Sequence, residues 1–296
     1  MKLSSKGKAI ALEQMQPVIL LGMHRSGTSL VARLLMDIGI YLGNRLEENA
    51  ESTHFQWLNH FIFAAAGARW SHIEPLVQVM QSPEFVERQA LATRRHLLRD
   101  NPFLNRYFGL VGFLGSHLPK AVSQDNAFSW GWKDPRNTLT FPIWRRIFPQ
   151  ARFVQIVRNG IDVAISINRR TLRQKGQWLK PDYYSPATLN LDYCFRLWEK
   201  YILFALKHKN LIPSEQYLEM RYEALLLEPQ EQLRRLVNFL DYPVQESLLS
   251  TTCEQVNQSH LQHSGYAVND RNGIQTLASS PLMQQLGYIP SRITND

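Results

Sequence analysis

The chain has 296 residues, 44% of them hydrophobic and 20% charged, with a formal net charge of +8. Such a chain can bury a sizeable core and is one large domain or two small ones, a single domain over 1–296 being the expectation adopted. No apolar window approaches the 18 residues of a membrane span, and two cysteines make no disulfide framework. The positive charge suits an anionic substrate, a nucleic acid or an acidic surface. Because Lys and Arg are spread through the chain, no nucleic-acid partner is expected. Cys194 and Cys253 have no metal-ligand spacing and read as buried, reduced thiols. Glu13, Gln14 and Gln16 interrupt the N-terminal apolar residues, so no signal-peptide core forms, and a cytoplasmic location is expected.

The first strong element is "PVILL" (17–21), a continuous apolar run typical of a strand covered on both faces. It leads through "GMHRSGTS" (22–29) into "LVARLLMDIG" (30–39), where Leu30, Leu34, Leu35 and Ile38 recur at helical spacing until Gly39. Residues 52–127 are richer in helix than strand and read as an insertion covering the sheet's edge. "FSWGWKDPR" (128–136) reads as a strand ending in a turn at Pro135. "ARFVQIVRNG" (151–160) repeats the strand-then-turn pattern, with "IDVAISINRR" as the helix that follows. Amphipathic helices are predicted over 189–209, with Leu191, Phe195, Trp198, Ile202 and Ala205 on one stripe, and over 230–240, with Leu233, Leu236, Val237 and Leu240. A C-terminal helical and loop segment follows from about 241. Alternating strands and helices predict a three-layer, P-loop-like α/β domain around a central parallel sheet.

The loop 22–29 has the G-x-x-x-x-G spacing of a phosphate cradle, but Thr28 stands where the lysine of a nucleotide-hydrolysing loop belongs. Backbone N–H groups of 25–29 at a helix N-terminus make an anion site whatever the side chains. The second strand ends in Arg158, where a metal-binding carboxylate would sit in a kinase or nucleotidase. A guanidinium repels a metal and welcomes a phosphate. Two anion sites and no evident Mg²⁺ site suit a mononucleotide with phosphates at both its 5′ and 3′ ends. A kinase or nucleotidase, or a non-catalytic nucleotide-binding protein, are the alternatives.

With "GMHRSGTSL" and "IVRNGIDVAIS", the chain resembles sulfotransferases that use 3′-phosphoadenosine 5′-phosphosulfate (PAPS). "WGWKDPRNTL" (130–139), "FPQARFVQIVRN" (148–159) and "RYEALLLEP" (221–229) look like the soluble bacterial-type branch. The resemblance is strong over 17–60 and 128–240. It implies that Gly22, Arg25, Ser26, Gly27, Thr28 and Ser29 wrap the 5′-phosphosulfate, and that Arg158 and Ser166 take the 3′-phosphate. Ser166 lies about two helical turns beyond Arg158, so its hydroxyl can face back toward the strand end.

Sulfuryl transfer needs in-line geometry, charge stabilisation and a base for the acceptor's proton. Arg25 and Lys133 are the expected electrostatic stabilisers, Lys133 because it ends a strand at the carboxyl edge of the sheet, where ligands gather in open α/β folds. The resemblance places a carboxylate base soon after the first helix. Glu48 is the first choice there, Glu51 the second, and His54 a further option. Related proteins often carry Glu in the aromatic step that reads "HFQW" here, where this chain has Gln56. His117 in "SHLP" reads as structural, as do Arg221 and Glu223, expected to form polar pairs at the sheet. Arg271 in "VNDRNGIQ" (268–275) is a further candidate for the nucleotide. The seven tryptophans read first as core, with a sugar-stacking platform among them as the alternative. PAPS is the implied co-substrate, no metal is expected, and the acceptor is a small molecule, carbohydrate or other hydroxyl-bearing compound.

Overall fold

Val18–Leu21 is a strand with all four side chains buried, as an apolar run without alternation requires. The computed structural model describes residues 4–5, 8–9, 11–98, 109–123, 128–174, 184–257 and 277–288. In it this strand is β3, after an antiparallel pair formed by β1 (Ser4–Ser5) and β2 (Lys8–Ala9). With β4 (Gly131–Lys133), β5 (Arg152–Val157) and β6 (Tyr217–Arg221) it builds a sheet in the order β4-β3-β5-β6. Every pairing in that sheet is parallel: Val18 lies opposite both Gly131 and Arg152, and Phe153 opposite Tyr217.

The helices are α1 (Thr28–Asp37), α2 (Thr53–Ala65), α3 (Glu74–Val79), α4 (Pro83–Leu97), α5 (Leu110–Leu114), α6 (Leu118–Ser123) and α7 (Asn137–Ile147). They continue with α8 (Gly160–Gln174), α9 (Leu191–Lys209), α10 (Tyr222–Leu227), α11 (Pro229–Leu240), α12 (Glu246–Glu254) and α13 (Pro281–Gln285). Side chains alternate across the sheet and so feed two cores. Val18, Leu20, Val154, Ile156, Leu218 and Met220 meet α1 and α10–α12 on one face. Ile19, Leu21, Trp132 and Phe153 meet α2, α7, α8 and α9 on the other. No described helix is long and apolar enough to cross a membrane.

Helix ends follow local chemistry. The Asn190 side chain accepts from the Tyr193 N–H and caps α9, and Pro229 opens α11. Helix α1 begins two residues before the predicted 30–39 span, because Thr28 and Ser29 already belong to its first turn. Strand β4 is shorter than 128–136: Trp130 only bridges Tyr41. Strand β6 is one that the apolar pattern did not predict. The helices of 53–123 include α2, whose Phe55 stacks on Trp132 of edge strand β4 with ring centroids 3.7 Å apart. Buried amides fasten α2 to the sheet: Asn59 donates to Asn137 Oδ1 (2.8 Å), and Asn137 donates to the Leu20 carbonyl (3.0 Å). Trp132, Thr140 and Trp144 complete this network. Of the thiols, Cys194 is buried with its pKa pushed up to about 12 by desolvation, whereas Cys253 is only half-buried.

Candidate active site

β3 connects onward to its neighbour on one side and β5 to its neighbour on the other, so the carboxyl ends of β3 and β5 flank the point where ligands bind in open parallel sheets. The loop 22–27 leaves β3 there. Its backbone takes left-handed φ values at Gly22 (141°), Arg25 (70°) and Gly27 (96°), which turn the chain tightly into α1. A Cβ on Gly27 would stand 2.1 Å from the Tyr222 ring, so only glycine fits. The Gly22 N–H donates to Thr138 Oγ1 (2.7 Å), and Ser26 Oγ donates to the Met23 carbonyl (2.6 Å), fixing the loop from both sides. Gly27 gives α1 no side-chain cap, so the amides that open the helix are available to an anion.

Two clusters of charge flank this loop. On one side Arg25 Nε donates to Ser166 Oγ (2.9 Å), and Arg158 Nη1 donates to the Arg25 carbonyl (3.2 Å). The Arg158 guanidinium lies over the Tyr222 ring at 4.5 Å and pairs with Asp162 at 4.0 Å. Burial and the like charges of Arg158 and Arg173 lower the Arg25 pKa, which marks a concentration of positive charge. On the other side Lys133, 2% exposed, donates from Nζ to Glu51 Oε1 (3.0 Å), the Asn49 carbonyl (3.1 Å) and Ser29 Oγ (3.3 Å). Burial pushes the Lys133 pKa down, and Glu51 pulls it back up. Glu51 Oε2 accepts from Gln56 Nε2 (3.0 Å). The neighbouring Asp134 is taken by the Arg136 guanidinium (2.9 Å), so each buried carboxylate at this strand end already holds a cation.

A cavity of about 920 Å³ opens beside the Lys133–Glu51 pair, walled by His24, Glu51, Gln56, Trp57, Trp70 and Tyr193, among others. Its far wall is pinned by α9: Tyr193 donates to the Ser71 carbonyl (2.6 Å) and Tyr201 to the Trp70 carbonyl (3.0 Å).

The family model described as "Sulfotransferase family" matches residues 17–246. The chain belongs to the sulfotransferase family. Protein-tyrosine sulfotransferase A of Caenorhabditis elegans is 23% identical over 164 residues, 55% of this chain and 40% of that protein. The chain thus spans about two fifths of the length of the curated relatives it matches. A sulfotransferase domain from the curacin biosynthetic pathway shares the fold, with a TM-score of 0.52 and 16% identity over 94% of this chain and all of that one.

In this chain Gly22, Arg25, Ser26 and Gly27 form the turn, Thr28 and Ser29 open α1, and Lys133 reaches that helix end through Ser29. The guanidinium of Arg25 lies with Ser166 and Arg158 rather than with Lys133. Of the two carboxylates, Glu51 is 4% exposed and meets Lys133, whereas Glu48 is exposed, outside the cavity, with its carbonyl accepting from Arg33. His54 is buried with its ring edge-on to Phe113. His117 stacks on Phe128 (5.1 Å) beside Tyr41, away from the loop. Arg221 and Glu223 engage different partners: Arg221 binds the Leu286 carbonyl, while Glu223 accepts from the Asn159 N–H and the Tyr288 hydroxyl. Arg271 and Trp178 lie outside the described residues. Trp70, Trp130, Trp132, Trp144 and Trp198 are buried, and Trp57 is 48% exposed at the cavity. Sequence reasoning missed Tyr222 and Thr138. Their signals were an aromatic residue at a strand's carboxyl end and a hydroxyl four residues after Asp134.

Proposed function

We propose that this protein transfers a sulfuryl group from PAPS to a hydroxyl or amine acceptor. The observation that carries the reading is one glycine-bounded turn flanked by the Arg25–Arg158 guanidinium cluster on one side and the buried Lys133–Glu51 pair on the other. Arg25, Arg158 and Ser166 suit a 3′-phosphate, since guanidinium groups bind phosphate through paired, charge-assisted hydrogen bonds. The opening amides of α1, with Thr28, Ser29 and Lys133, suit a 5′-phosphosulfate. The acceptor would enter from the aromatic-walled cavity. Its oxygen or nitrogen attacks sulfur, a new bond to sulfur forms, the bond between sulfur and the 5′-phosphate oxygen breaks, and 3′-phosphoadenosine 5′-phosphate (PAP) leaves. Lys133 offsets charge growing on the transferred group and leaving oxygen. The acceptor's proton passes to Glu51, which supports this role better than Glu48 because it borders both the cavity and Lys133.

Trp57, Phe63 and Trp70 in the cavity suit an acceptor with an apolar or aromatic body. Tyrosine-bearing peptides, phenols and sugars are therefore the acceptors to try. A cytoplasmic setting is in keeping with the free thiols of Cys194 and Cys253. Incubation with ³⁵S-labelled PAPS, without added metal, tests the reading. Label should appear on at least one acceptor, and absence of enzyme-dependent PAP formation would count against it.

A further inference from the structure

His24 belongs to the anion-binding turn, yet it has the wrong chemistry for an anion contact. The residue is 6% exposed and borders the same cavity as Glu51 and Gln56. Four cations surround it: Arg170 from α8, Lys133 and Arg136 from the end of β4, and Arg25 from its own turn. Desolvation, reinforced by those charges, holds the imidazole well below its ordinary pKa and therefore neutral near pH 7. A neutral ring adds little to a phosphate site already supplied with guanidinium groups and an ammonium. The Nε2 atom is nonetheless buried with no hydrogen-bond partner among the described residues. Buried polar atoms in native proteins are almost always paired, and a Phe or Leu could fill this space without that demand. The ring is held edge-on to Trp70, centroids 5.0 Å apart, and Trp70 is itself fixed through its carbonyl by Tyr201. Its orientation is thus set before any ligand arrives.

We propose that His24 contacts the acceptor, its imidazole hydrogen-bonding the reacting hydroxyl or amine beside Glu51. The inference rests on the sulfuryl-transfer reading and adds a residue to the acceptor side of that same site. A neutral imidazole carries one donor and one acceptor nitrogen, so it can orient a hydroxyl without taking its proton. Glu51 remains the proton's destination.

The test compares wild type with His24→Phe and His24→Gln, using 4-nitrophenol and water as probe acceptors and following PAP released from PAPS. Affinity for PAP is measured separately by calorimetry. His24→Phe should lower kcat/KM for PAP release about tenfold or more while PAP affinity stays within about twofold. His24→Gln, which can still hydrogen-bond, should recover part of that loss. Unchanged release in His24→Phe, or equal loss of PAP affinity in both variants, overturns the assignment while leaving sulfuryl transfer in place. A wild-type protein that neither binds PAP nor forms it from PAPS overturns both.

Discussion

Glu51 is gripped on one carboxylate oxygen by Lys133 and on the other by Gln56, each at 3.0 Å, which fixes its position at the cavity wall. If it takes the acceptor's proton, Glu51→Gln should lower kcat by about 10²–10⁴ and leave Glu48→Gln near wild type, as single-site kinetics at saturating PAPS would reveal. Glu51→Gln also leaves a buried lysine short of its partner, which in similar pairs costs about 3–5 kcal/mol. Thermal melts should accompany the kinetics so that lost chemistry is not confused with lost fold. Arg25→Ala should resemble Arg158→Ala, raising the KM for PAPS more than it lowers kcat, because Arg25 binds Ser166 and Arg158 binds the Arg25 carbonyl, so the two belong to one cluster. An Arg25 variant that loses kcat with KM unchanged would return that residue to the sulfuryl group. Stability should also respond to acid. The folded-state pKa values of His24 and His208 are both depressed by burial. Above about pH 6.5 these histidines are neutral in both states and cost nothing. Below that pH the unfolded chain binds protons that the fold refuses, so stability falls as pH drops toward the folded-state values. Melting temperatures from pH 7.5 to 5 should show this decline, with a shallower slope in His24→Gln.

The element that defines the site is the turn between β3 and α1. Gly27→Ala would push a methyl group into Tyr222 at a left-handed φ, so the turn, Tyr222 or both must shift. The variant should fold but lose PAP affinity at least tenfold, measurable by calorimetry. Helix α2 hangs on a different device. Asn59 joins Asn137, Thr140 and Trp144 inside the core, so Asn59→Leu would leave several buried partners unmet and should cost on the order of 1–3 kcal/mol in denaturant unfolding. Much of this was legible in the residues. "PVILL", "RFVQIV" and the glycines of "GMHRSGTS" announced strand, turn and helix, because burial on both faces and left-handed backbone leave clear marks. Which of Glu48 and Glu51 meets Lys133 was not legible. Both follow α1 on an irregular segment without periodicity, and only tertiary contact tells them apart. Strand β6 was missed for a related reason: "YLEMR" alternates polar and apolar as an edge strand does, and it runs directly into a helix.

At the scale of the whole molecule, four parallel strands bring Gly22, Lys133, Arg158 and Tyr222 together from segments far apart in the chain, with one core above the sheet and one below. The central claim is that this convergence is built for a nucleotide carrying phosphates on both its 3′ and 5′ positions. Equilibrium binding of PAP and of adenosine 5′-monophosphate, each with and without Mg²⁺, tests it most directly. The 3′-phosphate should contribute about 1.5–3 kcal/mol, making PAP bind roughly ten- to a hundredfold more tightly, and Mg²⁺ should make no difference. Equal affinity for the two nucleotides, or binding that appears only with Mg²⁺, would contradict the account.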